Sequence, residues 1–477
     1  MDLKPQHNRA PETINHIHIL GICGTGMAAL AGMLKSLGYK VTGSDNNVYP
    51  PMSDFLHAQH IHIHQPYAPE NLKEKPDLVI VGNVIRKINE EAQEVARLDI
   101  PYLSFPQALS HFFINSRQSL VISGTHGKTT TCSLLASVLY HAELDPTFMI
   151  GGIVREFESN YRIGKGDYFV AEGDEYDTAF FDKESKFLHY QPKVAVITSL
   201  EFDHADIFDD LEHIKRAFAK FIALLPTDGL LIANWDNPDI RELAANAPCK
   251  VEGYGRDAQY TWSLGAVHQD AGTTSFEALH NGQIWDTFKV QLPGEHNCLN
   301  SLAVCAIMHH LGYTSDRVRK GLSVFGGVKR RQEVRGIEAG ITVIDDFAHH
   351  PTAVAETLKA LKAAYPQNRL VCVFEPRTNS SRRTIFQSQY SLAFDDADLT
   401  IVREPVPLDG VDKTELFSSA TLVHDLNKRN KQAVVFDSTD EILEFLHKEA
   451  QQGDVIAILS NGGFDNIHTR LLQQLRT

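Results

Sequence analysis

Short runs of β-branched and other apolar residues alternate with amphipathic stretches along the 477 residues of this chain. This alternation is typical of α/β domains whose sheets are largely parallel. The succession of strand, turn and helix begins afresh three times. The opening strands are predicted at residues 16–20, 119–122 and 341–344. We therefore predict three α/β units, which we place at residues 1–116, 117–328 and 329–477.

The composition narrows the class of protein. Hydrophobic residues make up 43% of the chain and charged residues 22%, which is ordinary for a globular protein. The formal net charge of −15 argues against a nucleic-acid or anionic-membrane partner, because an acidic surface repels both. The six cysteines form no C-x-x-C pair, and no apolar run resembles a signal segment or is long enough to span a bilayer. We expect a cytoplasmic protein without membrane insertion.

The segment S-G-T-H-G-K-T-T at residues 123–130 follows an apolar strand and precedes a helix. Glycines let backbone N–H groups close around phosphate oxygens, and the N-terminus of the helix adds a favourable dipole. Lys128 can reach the β- and γ-phosphates, and the Thr129 hydroxyl can ligate Mg²⁺. The sequence therefore predicts a nucleoside triphosphate site. Its residues are Gly124, Thr125, His126, Gly127, Lys128, Thr129 and Thr130.

Two acidic runs follow the next predicted strands of the middle unit. The run E-G-D-E-Y-D begins at Glu172, and the run D-H-A-D contains His204. Ligands gather at the carboxyl edge of a parallel sheet. These side chains can therefore reach a metal held at the segment of residues 123–130, which we call the phosphate loop. We predict Glu172 as the carboxylate ligand, although spacing alone leaves Asp174 and Glu175 open. His204 is predicted to hold a second cation or to position the reacting groups.

Three further motifs, taken with those above, carry a resemblance to a known family. They are G-E-H-N-C-L-N at residues 294–300, V-K-R-R at 328–331 and D-D-F-A-H-H-P at 345–351. Over its whole length the chain resembles the Mur ligase family, the ATP-dependent amide-forming ligases of bacterial cell-wall synthesis. The resemblance implies nucleotide contacts from the residues His296, Asn297 and Asn300, a phosphate contact from Arg331 and a ribose contact from Asp345.

The amino-terminal segment G-I-C-G-T-G-M at residues 21–27 is a second diphosphate cradle at a helix N-terminus. With Asp45 about twenty residues on, it would also suit the dinucleotide of an NAD-dependent oxidoreductase. Such a dinucleotide would leave the loop at residues 123–130 unexplained. The resemblance implies a UDP-sugar here instead. The implied contacts are Gly24, Thr25, Gly26, Met27, Ser44 and Asp45.

The third unit should select the amine donor. Arg377, Arg382 and Arg383 follow a predicted strand in a chain that is acidic overall. Arginine pairs bidentately with carboxylates, so this group suits a peptide with several carboxylates. The turn S-N-G-G, which contains Asn461, follows the last strand and could present backbone donors to that peptide. These segments resemble the branch that attaches L-alanyl-γ-D-glutamyl-meso-diaminopimelate to UDP-N-acetylmuramate.

The whole sequence thus predicts a Rossmann-like UDP-binding domain, a central P-loop ATPase-type α/β domain and a C-terminal Rossmann-like peptide-binding domain. ATP and Mg²⁺ are the expected cofactors. Lys128, Glu172 and His204 are the expected catalytic residues, and Thr129, Glu172 and His204 the expected metal ligands. We expect a monomer or a weak dimer. Two alternatives stay open: the family branch that adds L-alanine, and a P-loop kinase or nucleotide switch, which would not need the first unit.

Overall fold

The computed structural model describes residues 3–270 and 272–476, which form three α/β units. The first unit contains β1 (His16–Leu20), α1 (Thr25–Ser36), β2 (Lys40–Ser44), α2 (Met52–Ala58), β3 (His62–His64), β4 (Leu78–Val81), α3 (Glu90–Leu98), β5 (Tyr102–Ser104) and α4 (Phe105–Leu109). Its strands are all parallel and follow the order β3-β2-β1-β4-β5. The order reverses between β1 and β4, so their carboxyl ends frame a crevice where ligands bind in such sheets.

In the part of the chain that the structure describes, the second unit is built on a ten-stranded sheet and a separate antiparallel pair of strands, residues 177–179 and 182–185. It contains β6 (Gln118–Ser123), α5 (Lys128–His141), β7 (Thr147–Val154), β8 (Ser159–Arg162), β9 (Tyr168–Gly173), β10 (Asp177–Ala179), β11 (Asp182–Ser185), β12 (Val194–Ile197), α6 (Leu211–Ala223), β13 (Leu230–Asn234), α7 (Pro238–Ala244), β14 (Lys250–Gly255), β15 (Trp262–Asp270), β16 (Thr273–His280), β17 (Gln283–Val290), α8 (Glu295–His310) and α9 (Ser315–Val324). Within the described residues the order is β17-β16-β15-β14-β13-β12-β6-β9-β7-β8. Strand β6 therefore lies between β12 and β9, parallel to both.

The third unit has a smaller sheet with one antiparallel edge. It contains β18 (Glu333–Glu338), β19 (Ile341–Asp346), α10 (Pro351–Ala364), β20 (Leu370–Phe374), α11 (Gln387–Ala393), β21 (Leu399–Arg403), α12 (Ser419–Lys428), β22 (Gln432–Phe436), α13 (Thr439–Glu449), β23 (Val455–Leu459) and α14 (Ile467–Leu475). The order is β18-β19-β23-β20-β21-β22, and only β18 runs antiparallel to its neighbour. The carboxyl ends of β20, β21 and β23 therefore meet at one edge.

The predicted three-unit α/β fold is confirmed, and the predicted opening strand at residues 16–20 coincides with β1. The antiparallel extension β15-β16-β17 of the central sheet was not predicted from the sequence. The predicted boundaries at 116/117 and 328/329 fall between the last strand of one sheet and the first strand of the next. Among the helices in residues 3–270 and 272–476, none has the length and apolar character needed to cross a membrane.

Burial of the central helix α5 fixes the position of the phosphate loop that precedes it. The helix is buried from Thr131 to Leu139, where it packs against α8 and α9 on one side of the sheet. A helix that is apolar on nearly all sides belongs inside a domain. Its N-terminus, directly after the loop, is therefore fixed relative to the strands that carry the acidic runs.

Candidate active site

The loop between β6 and α5 closes tightly against neighbouring backbone. Gly124 and Gly127 have φ of 137° and 83°, values that favour glycine. A Cβ atom at Gly124 would also clash with the Thr198 hydroxyl and lie 2.8 Å from the Ser199 backbone nitrogen. The His126 backbone N–H donates to the Ser199 hydroxyl at 2.7 Å. The loop is thus anchored from β12, the strand that leads into the second acidic run.

Lys128 begins α5, and its ammonium is held inside the site. Nζ lies 2.9 Å from Glu175 Oε2 and also donates to the Gly124 carbonyl. Burial opposes the positive charge, but the carboxylates of Glu175, Asp174 and Glu172 outweigh it and raise the pKa of Lys128. The lysine therefore keeps its charge beside the loop. Glu175, which spacing left undecided, is its carboxylate partner.

Thr129 and Glu172 provide an oxygen pair suited to Mg²⁺. The Thr129 hydroxyl donates to Glu172 Oε1 at 2.7 Å, and the Gly151 backbone N–H donates to Oε2 at 2.7 Å. Burial and the nearby charge of Asp174 raise the pKa of Glu172. A hard divalent cation prefers hydroxyl and carboxylate oxygens and would favour the ionised form of this carboxyl. The residues present therefore fit a magnesium ion.

His204 reaches the same group of side chains from the end of the second acidic run. Its Nε2 lies 3.7 Å from Glu175 Oε1, and its ring packs against Tyr176 with centroids 5.2 Å apart. The residue has a φ of 54°, in the left-handed region, and its imidazole faces Glu175. Glu175 therefore lies between Lys128 and His204.

The other residues of the loop have separate partners. The Thr125 hydroxyl donates to the Glu201 carbonyl at 3.2 Å and accepts from its N–H at 2.8 Å. The His126 imidazole turns towards the third unit, with Nε2 3.1 Å from His350 Nδ1. Thr130 is half-buried in the first turn of α5. The loop thus offers its backbone, Lys128 and Thr129 to a ligand.

Helix α8 brings its own motif against the loop. The Asn300 side-chain oxygen lies close enough to Gly127 that a Cβ there would be 2.8 Å from it. Asn300 donates to Asn297 at 3.4 Å, and Asn297 donates to the Pro293 carbonyl at 2.7 Å. His296 lies 3.7 Å from Glu356 of α10, and burial lowers its pKa to about 4. This helix start therefore lies between the loop and the third unit.

The connection to the third unit contributes an arginine to the loop. Arg331 donates to the Thr129 hydroxyl at 3.3 Å, and its guanidinium lies over the Phe347 ring at 4.8 Å. The ribose contact predicted for Asp345 stays a prediction. Its carboxylate lies 3.0 Å from Arg335 and 3.3 Å from His468, and none of its described contacts is with the loop.

Asp346, the next residue, faces the connection because adjacent strand residues point to opposite sides of a sheet. Its carboxylate accepts from the Gln332 N–H at 2.7 Å and from the Ala348 N–H at 2.8 Å. Burial raises the pKa of Asp346. The sequence motif D-D does not by itself distinguish the directions of these two side chains.

In the first unit, the glycine-rich turn after β1 is held by Asp45. The Cys23 N–H donates to Asp45 Oδ2 at 3.0 Å. Gly24 precedes α1, which starts at Thr25, and Gly26 lies against the Phe105 ring. The predicted contacts Met27 and Ser44 are buried side chains.

Ser44 is already engaged by the protein. Its hydroxyl donates to Glu91, a fully buried carboxylate that also accepts from Asn71 and from the Ala68 N–H at 3.0 Å. Ser44 and Asp45 therefore support the turn and the neighbouring loop, and the open positions of the cradle are those at residues 24–26.

The predicted arginines of the third unit divide into two kinds. Arg377 is 52% exposed and lies flat against Gly462, where a Cβ would clash with the guanidinium. Arg382 donates to the Val406 carbonyl at 3.0 Å, and Arg383 lies 3.6 Å from Glu415. Those two arginines thus hold the loop after β21, whereas Arg377 remains open to a ligand.

Arg403, which ends β21 at the same sheet edge, was not among the residues predicted from the sequence. It lies 2.8 Å from the buried Glu375 and 3.2 Å from Asp465. The predicted residue Asn461 lies in the adjacent turn, and Arg330 donates to the carbonyls of Ser460 and Gly462 at 2.7 and 2.6 Å. Arg403 carried no motif in the sequence, although the meeting of parallel strand ends could have suggested it.

A phosphate loop flanked by carboxylates on both neighbouring strands defines a nucleotide-using α/β enzyme. Comparison with known families agrees with this class and refines it. The descriptions that match are "Mur ligase family, catalytic domain" at residues 16–117, "Mur ligase middle domain" at 122–308 and "Mur ligase, glutamate ligase domain" at 330–462. The chain belongs to the Mur ligase family.

Similar proteins align over nearly the whole chain. UDP-N-acetylmuramate–L-alanyl-γ-D-glutamyl-meso-2,6-diaminoheptandioate ligase of Escherichia coli is 39% identical over 465 residues, or 96% of this chain and 98% of that protein. UDP-N-acetylmuramate–L-alanine ligase of Clostridium tetani is 34% identical over 449 residues, or 94% and 96%. The solved murein peptide ligase of Psychrobacter arcticus superimposes with a TM-score of 0.71 at 34% identity, covering 97% of this chain and 99% of that one.

Proposed function

We propose that this chain uses ATP to join the tripeptide L-alanyl-γ-D-glutamyl-meso-diaminopimelate to UDP-N-acetylmuramate. The observation that carries the proposal is the full-length, 39% identity to the ligase of that name from Escherichia coli. The loop at residues 123–130, with Lys128 and Thr129 against two carboxylates, supplies the means to use ATP. Three α/β units also provide one place each for sugar nucleotide, ATP and donor.

The proposed reaction has two steps. A carboxylate oxygen of the UDP-sugar attacks the γ-phosphorus of ATP, ADP leaves, and an acyl phosphate forms. The alanyl amine of the tripeptide then attacks the acyl carbon, phosphate leaves, and the nitrogen loses a proton. Phosphoryl transfer needs mainly alignment and charge neutralisation. Mg²⁺, when held by Thr129 and Glu172, would neutralise charge that develops on the phosphate oxygens.

The protein's own side chains supply the remaining charge control. Lys128 brings a permanent positive charge to the loop, and Arg331 brings a second from the connection between the units. Glu175 holds Lys128 in place on one side and faces His204 on the other. We assign to His204 the positioning of the reacting carboxylate or of a second cation near Glu175.

The donor site is proposed at the carboxyl edge of the third sheet. The tripeptide carries three carboxylates, and Arg377 presents a half-exposed guanidinium there against the Gly462 backbone. Guanidinium groups bind carboxylates bidentately. Arg403 and Arg330 fix the surrounding turn through Glu375 and Ser460.

The deciding assay measures phosphate release from ATP with UDP-N-acetylmuramate and either the tripeptide or L-alanine. We expect the tripeptide to stimulate release, and a tripeptide with an acetylated alanyl amine to give no ligated product. Stimulation by L-alanine alone would instead support the donor of the Clostridium tetani ligase. Release that does not depend on the sugar nucleotide would refute a ligase and favour a P-loop kinase or switch.

Replacing Arg377 tests the donor site. We expect Arg377→Ala to raise the KM for the tripeptide by about tenfold or more and to leave the KM for ATP unchanged, since one charge-assisted contact contributes about 1.5–3 kcal/mol. The matched control is Arg429→Ala, which removes an arginine that pairs with Asp395 elsewhere in the unit. Equal tripeptide KM values for Arg377→Ala and the unaltered chain would remove Arg377 from the donor site.

A further inference from the structure

Two imidazoles and one carboxylate converge where the third unit meets the central one. His126 comes from the phosphate loop, Glu201 follows β12, and His350 precedes α10. His126 Nε2 lies 3.1 Å from His350 Nδ1, and Glu201 Oε2 lies 3.5 Å from that Nδ1 and 3.9 Å from that Nε2. We propose that these side chains form a site for a zinc-class divalent transition metal, separate from the magnesium position at Thr129 and Glu172.

The spacing of the three atoms suits a tetrahedral ion. Zinc binds imidazole nitrogen and carboxylate oxygen at about 2.0–2.2 Å, which places ligand atoms about 3.3–3.5 Å apart. The two separations to His350 are close to this spacing. The third separation, 3.9 Å between His126 Nε2 and Glu201 Oε2, is longer. These two side chains are 22% and 31% exposed and can rotate slightly. Their exposure also leaves a fourth position for water.

The surroundings of His350 orient a lone pair towards the other two ligands. Its Nε2 donates to the Phe202 carbonyl at 3.2 Å, so Nδ1 is left as the acceptor. The Thr352 N–H donates to this Nδ1 at 3.3 Å, a long bond that a metal at the same lone pair would replace, and the Thr352 hydroxyl donates to Glu201 at 2.6 Å. A backbone carbonyl behind one ligand and a hydroxyl beside another are the usual supports of a protein-bound metal.

Two of the groups have the protonation states that metal binding requires. A metal binds neutral imidazole and ionised carboxylate. Burial, together with the neighbouring His126, lowers the pKa of His350 to about 4. Burial opposes the charge of Glu201, but the nearby His126 and the hydrogen bond from Thr352 outweigh it and lower its pKa to about 2. At neutral pH these two ligands therefore need not release a proton.

The donor set separates this site from the magnesium position. Two imidazoles and a carboxylate suit Zn²⁺ and its neighbours, whereas Mg²⁺ prefers oxygen ligands and retained waters. Because His126 and Glu201 belong to the central unit and His350 to the third, the metal binds only when the units are together. Bound Zn²⁺ would therefore hold the closed arrangement. This inference does not depend on the identity of the ligase substrates.

The test measures binding of Zn²⁺ alone to the full chain without nucleotide, by equilibrium dialysis, with Co²⁺ absorption as a probe of tetrahedral geometry. We expect His350→Asn and Glu201→Gln each to weaken the tightest Zn²⁺ site at least tenfold and to abolish the Co²⁺ spectrum. Asparagine still accepts from the Thr352 N–H, so the start of α10 keeps its cap. The matched control is His309→Gln, whose imidazole packs on His280 away from this interface.

Solution scattering provides a second readout. Zn²⁺ should reduce the radius of gyration of the unaltered chain and of His309→Gln, but not that of Glu201→Gln. Equal Zn²⁺ affinity and equal Co²⁺ spectra in all four proteins would overturn the proposal. So would the absence of a micromolar Zn²⁺ site in the unaltered chain, since the three groups would then form a hydrogen-bonded contact only.

Discussion

The three carboxylates near Lys128 have different partners, although they lie within four residues of one another. Glu172 accepts from Thr129, whereas Glu175, only three positions later, pairs with Lys128. Asp174 lies 3.5 Å from Lys186 instead. The turn that follows β9 separates these directions, and spacing along the chain does not encode it. Glu172 was predicted as the metal ligand from the sequence, and that role stays a prediction.

Loss of the Lys128 charge should slow catalysis strongly. We expect Lys128→Ala to lower kcat about a thousandfold, equivalent to about 4 kcal/mol of transition-state stabilisation, because no other lysine contacts the loop among the described hydrogen bonds. Steady-state phosphate release measures the effect. The control Lys220→Ala removes an exposed lysine that pairs with Glu184 and should behave as the unaltered chain. A kcat within tenfold would contradict the role of Lys128.

Glu91 should make the first unit sensitive to acid. Burial opposes its ionisation, but hydrogen bonds involving His18, Ser44 and Asn71 outweigh it and lower its pKa below the ordinary 4.5. A depressed carboxyl pKa stabilises the fold fully above pH 4.5, and this contribution is lost as the pH falls through the folded-state pKa. Stability should therefore decline on acidification below pH 4.5.

The matched pair Glu91→Gln and Glu90→Gln tests this. At pH 7, Glu91→Gln should lower the free energy of unfolding by about 1–3 kcal/mol, because a buried network loses a charged acceptor. The difference from the unaltered chain should shrink below pH 4.5. Glu90 is exposed on the same helix, so its variant should match the unaltered chain in thermal unfolding at every pH. A pH-independent defect in Glu91→Gln would show that its charge is not the cause.

Among the elements, the phosphate loop and its two flanking strands determine the site. Gly124 combines a φ of 137° with a close approach to Thr198 and Ser199. We expect Gly124→Ala to weaken ATP binding about tenfold to a hundredfold, since backbone strain costs about 1–3 kcal/mol and a clash adds to it. Isothermal titration with ATP measures the affinity.

Gly38→Ala is the matched control for strain without a clash. Gly38 also has a positive φ, of 94°, but a Cβ there would meet nothing within 4 Å. Its variant should bind ATP as the unaltered chain does. If Gly124→Ala binds ATP equally well, the loop closes on the nucleotide in another way than this structure indicates.

Apolar patterning located most of the parallel strands but not the antiparallel ones. Strands β12 and β20 are continuous apolar runs because helices cover both faces of the sheet. Strand β15 keeps one face exposed along much of its length, so its residues read as a mixed polar segment. The site followed from the parallel strands, whose carboxyl ends carry the phosphate loop and both acidic runs. Asp345 and Arg403 depend on side-chain direction and strand order, which patterning does not provide.

At the scale of the whole molecule, the third unit is closed over the central one. The contacts include Thr352 to Glu201 at 2.6 Å and the Ala205 N–H to the Ser380 hydroxyl at 3.1 Å. We expect an ATP analogue to reduce the radius of gyration, since ATP would bind beside these contacts. Scattering with and without the analogue measures this, and an unchanged radius would show that closure does not depend on the nucleotide.

Thr352→Val should weaken closure without changing the shape of the side chain. Loss of a hydrogen bond to a carboxylate costs about 1.5–3 kcal/mol, so we expect kcat/KM to fall roughly tenfold or more and the compaction with the ATP analogue to shrink. Thr421→Val is the control, because that hydroxyl donates to Ser418 at 2.9 Å within the third unit. Equal kcat/KM for both variants would exclude a role for the Thr352 hydroxyl.

Arg330 links the connecting segment to the turn at residues 460–463 through two carbonyls. Arg330 therefore couples the connecting segment to the turn beside the proposed donor site, so that the two keep the same relative position. A replacement unit grafted after residue 329 would bring its recognition surface already assembled, provided that it keeps an arginine at the position of Arg331, which contacts Thr129. Swapping residues 330–476 between relatives with different donors should transfer the choice of donor intact.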